Sequence, residues 1–195
     1  MIGECRPSAI SPGATTPAPS WSGAAPSRRA PVPTLGFCGS RARRHHAIVL
    51  RLQWMMTAFD DNSGIFLNFP DPTQQGYDNT AYVGVNFGFE VQIDELARPD
   101  NAMIHRTGAI YSFKGPTDGP LVVHSVGEWN DYEITVDGAD FTVALNGQVV
   151  NRFHFTGDPQ SPRRGLPSTP QEPRFIGLQT HTGQVLFRRL QWKAL

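Results

Sequence analysis

An all-β domain, a sandwich of antiparallel sheets or a barrel, is the fold class this sequence predicts. Short runs of alternating apolar and polar residues recur from Ile48 onward, turn residues interrupt them every eight to twelve positions, and helical periodicity is nearly absent. With 195 residues, 39% of them hydrophobic, the chain suffices for one domain with its own core.

Residues 1–46 differ in kind from the remainder of the chain. They hold seven Pro, five Gly, six Arg, no Lys and one acid, Glu4, with neither strand nor helix periodicity, and read as a disordered leader ahead of a domain over 47–195. The composition suits a transit peptide, and equally a misassigned start or an out-of-frame translation. No apolar stretch of secretory-signal length follows Arg28-Arg29. Both cysteines, Cys5 and Cys38, fall in this segment, so residues 47–195 form no internal disulfide. Those residues carry 11 basic against 16 acidic side chains, a net −5, which argues against a nucleic-acid footprint. No run approaches the roughly 18 apolar residues of a membrane span.

The elements come in this order. Ile48, Leu50, Leu52, Trp54 and Met56 alternate with Val49, Arg51, Gln53 and Met55, the pattern of a strand with a strongly apolar inner face. Asp60 to Gly64 is a turn, Ile65 to Phe69 a strand, and Pro70-Asp71-Pro72 its end. A polar loop through Tyr77 leads to a long strand predicted over Tyr82 to Asp94, and Gly108 to Lys114 is a further short one. Trp129 to Val136 and Phe141 to Leu145 are strands joined at Asp137-Gly138. The hairpin signal Asn146-Gly147 then returns the chain as Val149 to Phe155. A Pro-rich loop, Asp158 to Pro173, precedes strands Phe175 to His181 and Val185 to Trp192.

Asn86 to Glu95 is the stretch most suggestive of function. Phe87, Phe89, Val91 and Ile93 share one face of an extended strand, and Asn86, Gly88, Glu90, Gln92 and Asp94 share the other. Two carboxylates and two amides in a row suit the lining of a sugar site. They also suit a solvated sheet face, the ordinary place for charges on antiparallel strands. Residues four apart on a strand lie about 13 Å apart, so Glu90 and Asp94 cannot form a retaining pair of carboxylates, which needs roughly 5 to 5.5 Å. A partner for Glu90 must come from a neighbouring strand.

Six blocks then carry a family resemblance: NSGIFLNFPDP at 62–72, GFEVQIDE at 88–95, TGAIYSFK at 107–114, GEWNDYEITVDG at 127–138, FTVALNGQVV at 141–150 and FIGLQTHTGQVLFRRLQWKAL at 175–195. In this order they resemble the 3-keto-disaccharide hydrolase family. The resemblance implies a concanavalin A-like jelly-roll sandwich of two antiparallel sheets and, for family members, secretion. The family's N-terminal segment, with a Phe-Asn-Gly-type motif and a first strand, has no match in residues 1–46, which leaves an unpaired sheet edge or a partly open core. Family members often carry Glu and Arg near Gln53 and Met55, and Arg near Asn68.

The implied reaction needs a base at C2 of a 3-keto sugar, an acid at the glycosidic oxygen and donors around the C3 oxygen. Glu90 and His181 are the candidates for base and acid, in either order, because the resemblance makes the strand with Gln179 and His181 the source of a partner. Gln92, Asp94, Asn62, Phe66, Asn68, Tyr111, Trp129 and Gln179 are the candidate substrate-binding residues. These roles require no redox cofactor. Asp60-Asp61-Asn62 has oxygen ligands for calcium, but the spacing fails the EF-hand loop and turn capping explains it better.

Two other readings share the fold. One is a noncatalytic carbohydrate-binding module in which Phe66, Tyr111 and Trp129 stack on sugar rings. The other is a β-glucanase-like glycoside hydrolase, since Glu90 to Glu95 resembles Glu-x-Asp-x-x-Glu with Gln92 in place of the Asp. Core packing is the competing explanation for Trp129 and Tyr111, and loop or hairpin surface for His105 and His154.

Overall fold

The computed structural model describes residues 34–37, 47–157 and 174–195. Nine strands and one short α-helix organise them: β1 (Thr34–Phe37), β2 (Ala47–Met56), β3 (Asn62–Phe69), α1 (Ala81–Phe87), β4 (Phe89–Asp94), β5 (Asn130–Asp137), β6 (Asp140–Leu145), β7 (Gln148–His154), β8 (Phe175–Thr180) and β9 (Val185–Ala194). They form a four-stranded sheet in the order β1-β8-β3-β4 and a five-stranded sheet in the order β7-β6-β5-β2-β9, antiparallel throughout. The predicted leader apart from 34–37, and the Pro-rich loop at 158–173, lie outside the described residues.

Period-two patterning builds the core between the sheets. Leu50, Leu52, Trp54 and Met56 of β2 face inward with Tyr132, Ile134 and Val136 of β5 and Phe141, Val143 and Leu145 of β6. From the other sheet they meet Ile65 and Leu67 of β3 and Phe89, Val91 and Ile93 of β4. Each such side chain contributes about 1.5–3 kcal/mol by leaving water. One polar tie crosses this apolar layer: the Tyr132 hydroxyl donates to the Gln92 carbonyl at 2.8 Å. Complete burial pushes that phenol's pKa well up, so it keeps its proton. The tie fixes β4 in depth and along its length.

Three expectations need correction. The predicted strand over Tyr82 to Asp94 is two elements: α1 over Ala81–Phe87, a turn at Gly88, and β4 from Phe89. The helix forms because Phe66 and Phe69 lie on the outer face of β3 and need cover, and Ala81 and Val83 supply it. Gly108 to Lys114 is a coiled segment. Ile110 alone bridges to Val91 and Lys114, while Gly108 and Ser112 take left-handed φ of 85° and 64°. Lastly, the four-stranded sheet begins before residue 47, since β1 pairs with β8 and covers the edge expected to be open.

Among the described residues no helix is long and apolar enough to cross a membrane.

Candidate functional site

Register on the four-stranded sheet sets the rungs of its outer face. Phe66 lies between Gly177 and Glu90, and the backbone N–H of Tyr111 donates to the Glu90 carbonyl at 2.9 Å, extending that rung. On the next rung Gly64 pairs with Gln92, and the register of β3 with β8 brings Gln179 to its other side. Further along, Asn62 pairs with Asp94 and bridges to Thr182, beside His181. Alternation along β4 thus delivers Glu90, Gln92 and Asp94 to one face, as expected, and β8 adds Gln179, with His181 just past its end.

At the centre is a notch made by a missing side chain. A Cβ on Gly64 would collide with Glu90 Oε1 and come within 2.7 Å of Glu90 Cγ, so the carboxylate lies over the glycine. Two carboxamides flank it. With its nitrogen turned toward acceptors, Gln92 donates to Glu90 Oε1 at 2.9 Å and to the Ser63 carbonyl at 3.3 Å. On the far side Gln179 is 5% exposed, and its Oε1 has no hydrogen-bond partner among the described residues. An acceptor left in that state costs about 1–3 kcal/mol.

Asp94 has a different task. Completely buried, it accepts from Arg98 Nε at 3.1 Å and Nη2 at 3.2 Å, from Asn62 Nδ2 at 3.0 Å, and from the backbone N–H of Leu96 and Arg98 at 2.9 and 3.1 Å. Its lone pairs are spent on protein donors, so it orients Asn62 and Arg98 rather than offering oxygens to a sugar. Glu95, needed for the β-glucanase pattern, pairs with Arg106 at 3.1 Å and lies beyond the end of β4.

His181 stands at this end of the face, with Nδ1 at 2.9 Å from Thr182 Oγ1. Partial burial and the Arg98 guanidinium lower its pKa, with the Asp94 charge opposing, so the imidazole is neutral near pH 7. Register separates it from Glu90 by four residues along the strands and two strand spacings across, about 13 Å by about 10 Å between backbones. Glu90 and His181 share a face without adjoining.

The remaining candidates divide. Phe66 is 1% exposed, capped by Gly84 of α1, and cannot act as an open stacking platform. Asn68, at φ 56°, lies at the α1 end, its carbonyl accepting from Arg174 at 3.3 Å. Tyr111 is half-buried beside Glu90, and the two line a cavity of about 50 Å³ with Phe66, Gly84, Val85 and Gly88. Trp129 lies elsewhere: it precedes β5 on the five-stranded sheet and carries the Arg188 guanidinium 3.8 Å above its ring.

Arg98 and Gly64, which position Asp94 and Glu90, do not stand out in the sequence. Arg98 was legible as the i+4 partner of Asp94 across a turn. A glycine within a strand signals close approach of another group, but Gly64 reads equally as the end of the Asp60 turn. Asp61, within that turn, does cap it: its carboxylate accepts from the N–H groups of Thr57, Ala58 and Gln184 at 2.7, 2.9 and 2.9 Å.

A larger concavity, about 640 Å³, lies over the outer face of the five-stranded sheet. Four of its polar side chains pair across strands, Arg51 with Glu133 at 2.6 Å and Gln53 with Asp131 at 2.8 Å, and Arg188 beside it donates to Gln53 at 2.8 Å. Size favours that face, and the Glu90 carboxylate over Gly64 distinguishes the other by its chemistry.

Comparison with known proteins gives the family and the fold. The family model for the 3-keto-alpha-glucoside-1,2-lyase-like domain matches residues 35–193. Two structures from Parabacteroides distasonis ATCC 8503, both assigned as glycosyl hydrolases, superpose with TM-scores of 0.62 and 0.60 at 18% and 23% identity. The first match covers 83% of this chain and 76% of that one, and the second 84% of each. The carbohydrate-binding module CBM66 from Bacillus subtilis superposes with a TM-score of 0.51 at 9% identity, over 85% of this chain and 84% of that one. These likenesses show the fold. No curated protein matches the sequence.

Proposed function

The chain belongs to the 3-keto-alpha-glucoside-1,2-lyase-like domain family, and from that premise we propose that it cleaves the glycosidic bond of 3-keto-glycosides, with Glu90 as the base that removes the C2 proton. The observation that carries this reading is the Glu90 carboxylate lying over Gly64, between the carboxamides of Gln92 and Gln179.

A ketone at C3 acidifies the C2 hydrogen, because the electrons left behind delocalise onto the C3 oxygen. Glu90 takes the proton, the C1–oxygen bond breaks, and an enone remains. Water then adds at C1, and the proton on Glu90 returns to C2. The products are the 3-keto sugar and the free aglycone, so proton transfer alone balances the reaction. The Gln92 amide, bonded to Glu90 Oε1, steadies the base, and the Gln179 amide is the residue read as bonding the sugar as charge develops. His181, neutral and one sugar ring or more from Glu90, suits recognition of the second ring.

The test is release of keto-glucose from 3-keto-disaccharides, with Glu90→Gln alongside. Loss of turnover by about 10²-fold or more is expected for removal of a general base, with sugar affinity retained. A variant at full turnover removes Glu90 from the chemistry. Wild-type protein that binds sugar without cleaving any keto-glycoside would instead be a carbohydrate-binding module.

A further inference from the structure

Protonation of the leaving oxygen needs an acid within reach of the bond that Glu90 opens, and His181 lies too far along the face to serve. We infer that Tyr111 is that acid: it gives its phenolic proton to the departing C1 oxygen, then acts as the base toward the water that replaces it. The inference rests on the reading of Glu90 as the C2 base.

Three observations carry it. Tyr111 is the immediate neighbour of Glu90, tied to it by the backbone hydrogen bond at 2.9 Å and sharing its small cavity. Its ring is held from behind, packed 4.8 Å from the His105 ring, whose Nδ1 is fixed at 2.7 Å from Asp100 Oδ1. No hydrogen bond to another described residue engages the phenol, so the proton is free to be given. Core packing and sugar stacking, the roles expected for this ring, use neither the hydroxyl nor its neighbour.

Burial, first, and then the charges of Glu90, Asp100 and Asp94 raise the Tyr111 pKa, so the hydroxyl is protonated at neutral pH. The coupling helps the reaction. When Glu90 accepts the C2 proton it becomes neutral, one of the charges opposing ionisation of Tyr111 vanishes, and the phenol becomes a stronger acid at the moment the leaving oxygen needs it. The hydration step runs the same exchange backward. Tyrosinate takes a proton from water as its oxygen bonds to C1, and protonated Glu90 returns its proton to C2. Both groups end as they began, with no further donor or acceptor.

Tyr111→Phe removes the hydroxyl and keeps the ring against His105, and its effect depends on the leaving group. In a single turnover, which reads bond breaking before water is activated, release of the second sugar from a 3-keto-disaccharide, whose alkoxide needs protonation, should fall about 100-fold or more, and release of nitrophenolate from the 3-keto nitrophenyl glucoside, which leaves unaided, should stay within about threefold of wild type. Exchange of the C2 hydrogen in deuterated water should persist in this variant, showing that the site is intact, and vanish in Glu90→Gln. Equal slowing on both substrates would overturn the acid role and leave Tyr111 a packing residue. If wild-type protein cleaves neither substrate, the reading of Glu90 falls first and this inference with it.

Discussion

A single absent methyl group decides where the Glu90 carboxylate lies. In Gly64→Ala the new Cβ would collide with Glu90 Oε1. The displaced group is the far end of a flexible side chain, so the fold yields easily and stability should fall by less than about 1 kcal/mol, below the usual cost of overpacking. Position matters far more to the chemistry, where a misplacement near 1 Å can cost about 10²-fold. Thermal melts and kcat/KM measured on the same preparation should therefore diverge, with a near-normal Tm and a collapse in turnover. A parallel fall in both would mean that Gly64 serves the sheet rather than Glu90. The glycine looks inconspicuous in the sequence because it follows a turn, whereas the carboxylate it accommodates announces itself by alternation along β4.

Helix α1 sets the limit on how closely an element can approach the face that carries the site. Gly84 faces Phe66, and a Cβ there would stand 2.8 Å from the ring's Cγ. By helix propensity alone Gly84→Ala should gain up to about 1 kcal/mol. Crowding a packed ring costs about 1–3 kcal/mol, so the packing loss should win and Tm fall by a few degrees in a chain of this size. A rise in Tm would mean that Phe66 has room to move. The helix was illegible because Tyr82-Val83-Gly84-Val85 alternates and is β-branched, as a strand would be, and the need to cover Phe66 is a tertiary fact. The same limit explains His181. Alternation reports which face a residue occupies but not which rung, so the face that Glu90, Gln92 and Asp94 share was readable and the separation of Glu90 from His181 was not. Where one strand is amphipathic and bounded by turns, as β2 and the β5–β7 meander are, sequence and structure agree within a residue or two.

For the molecule as a whole, pH tests the electrostatics of the face. The folded His181 pKa lies below its ordinary 6.5, so the unfolded chain binds that proton more readily. Its contribution is complete above about 6.5 and is lost as pH falls toward the folded value. Asp100 and Asp118 are lowered below 3.8, chiefly by the hydrogen bonds from His105 and Lys114, and give up their contributions only below that value. Melting temperature should therefore decline in two stages on acidification, and His181→Gln should remove the first. An unchanged upper stage in that variant would place its origin outside this imidazole. The strand order has a further consequence, for the timing of synthesis. β8 is inserted between β1 and β3, and β9 closes on β2, so each sheet waits for the last strands of the described chain. Most pairings that matter are distant in sequence, which makes folding slow and leaves hydrophobic strands exposed on the ribosome until β8 and β9 emerge. Because Gln179 and His181 arrive with them, a nascent chain completes the outer face that carries Glu90 only in the step that also seals the core.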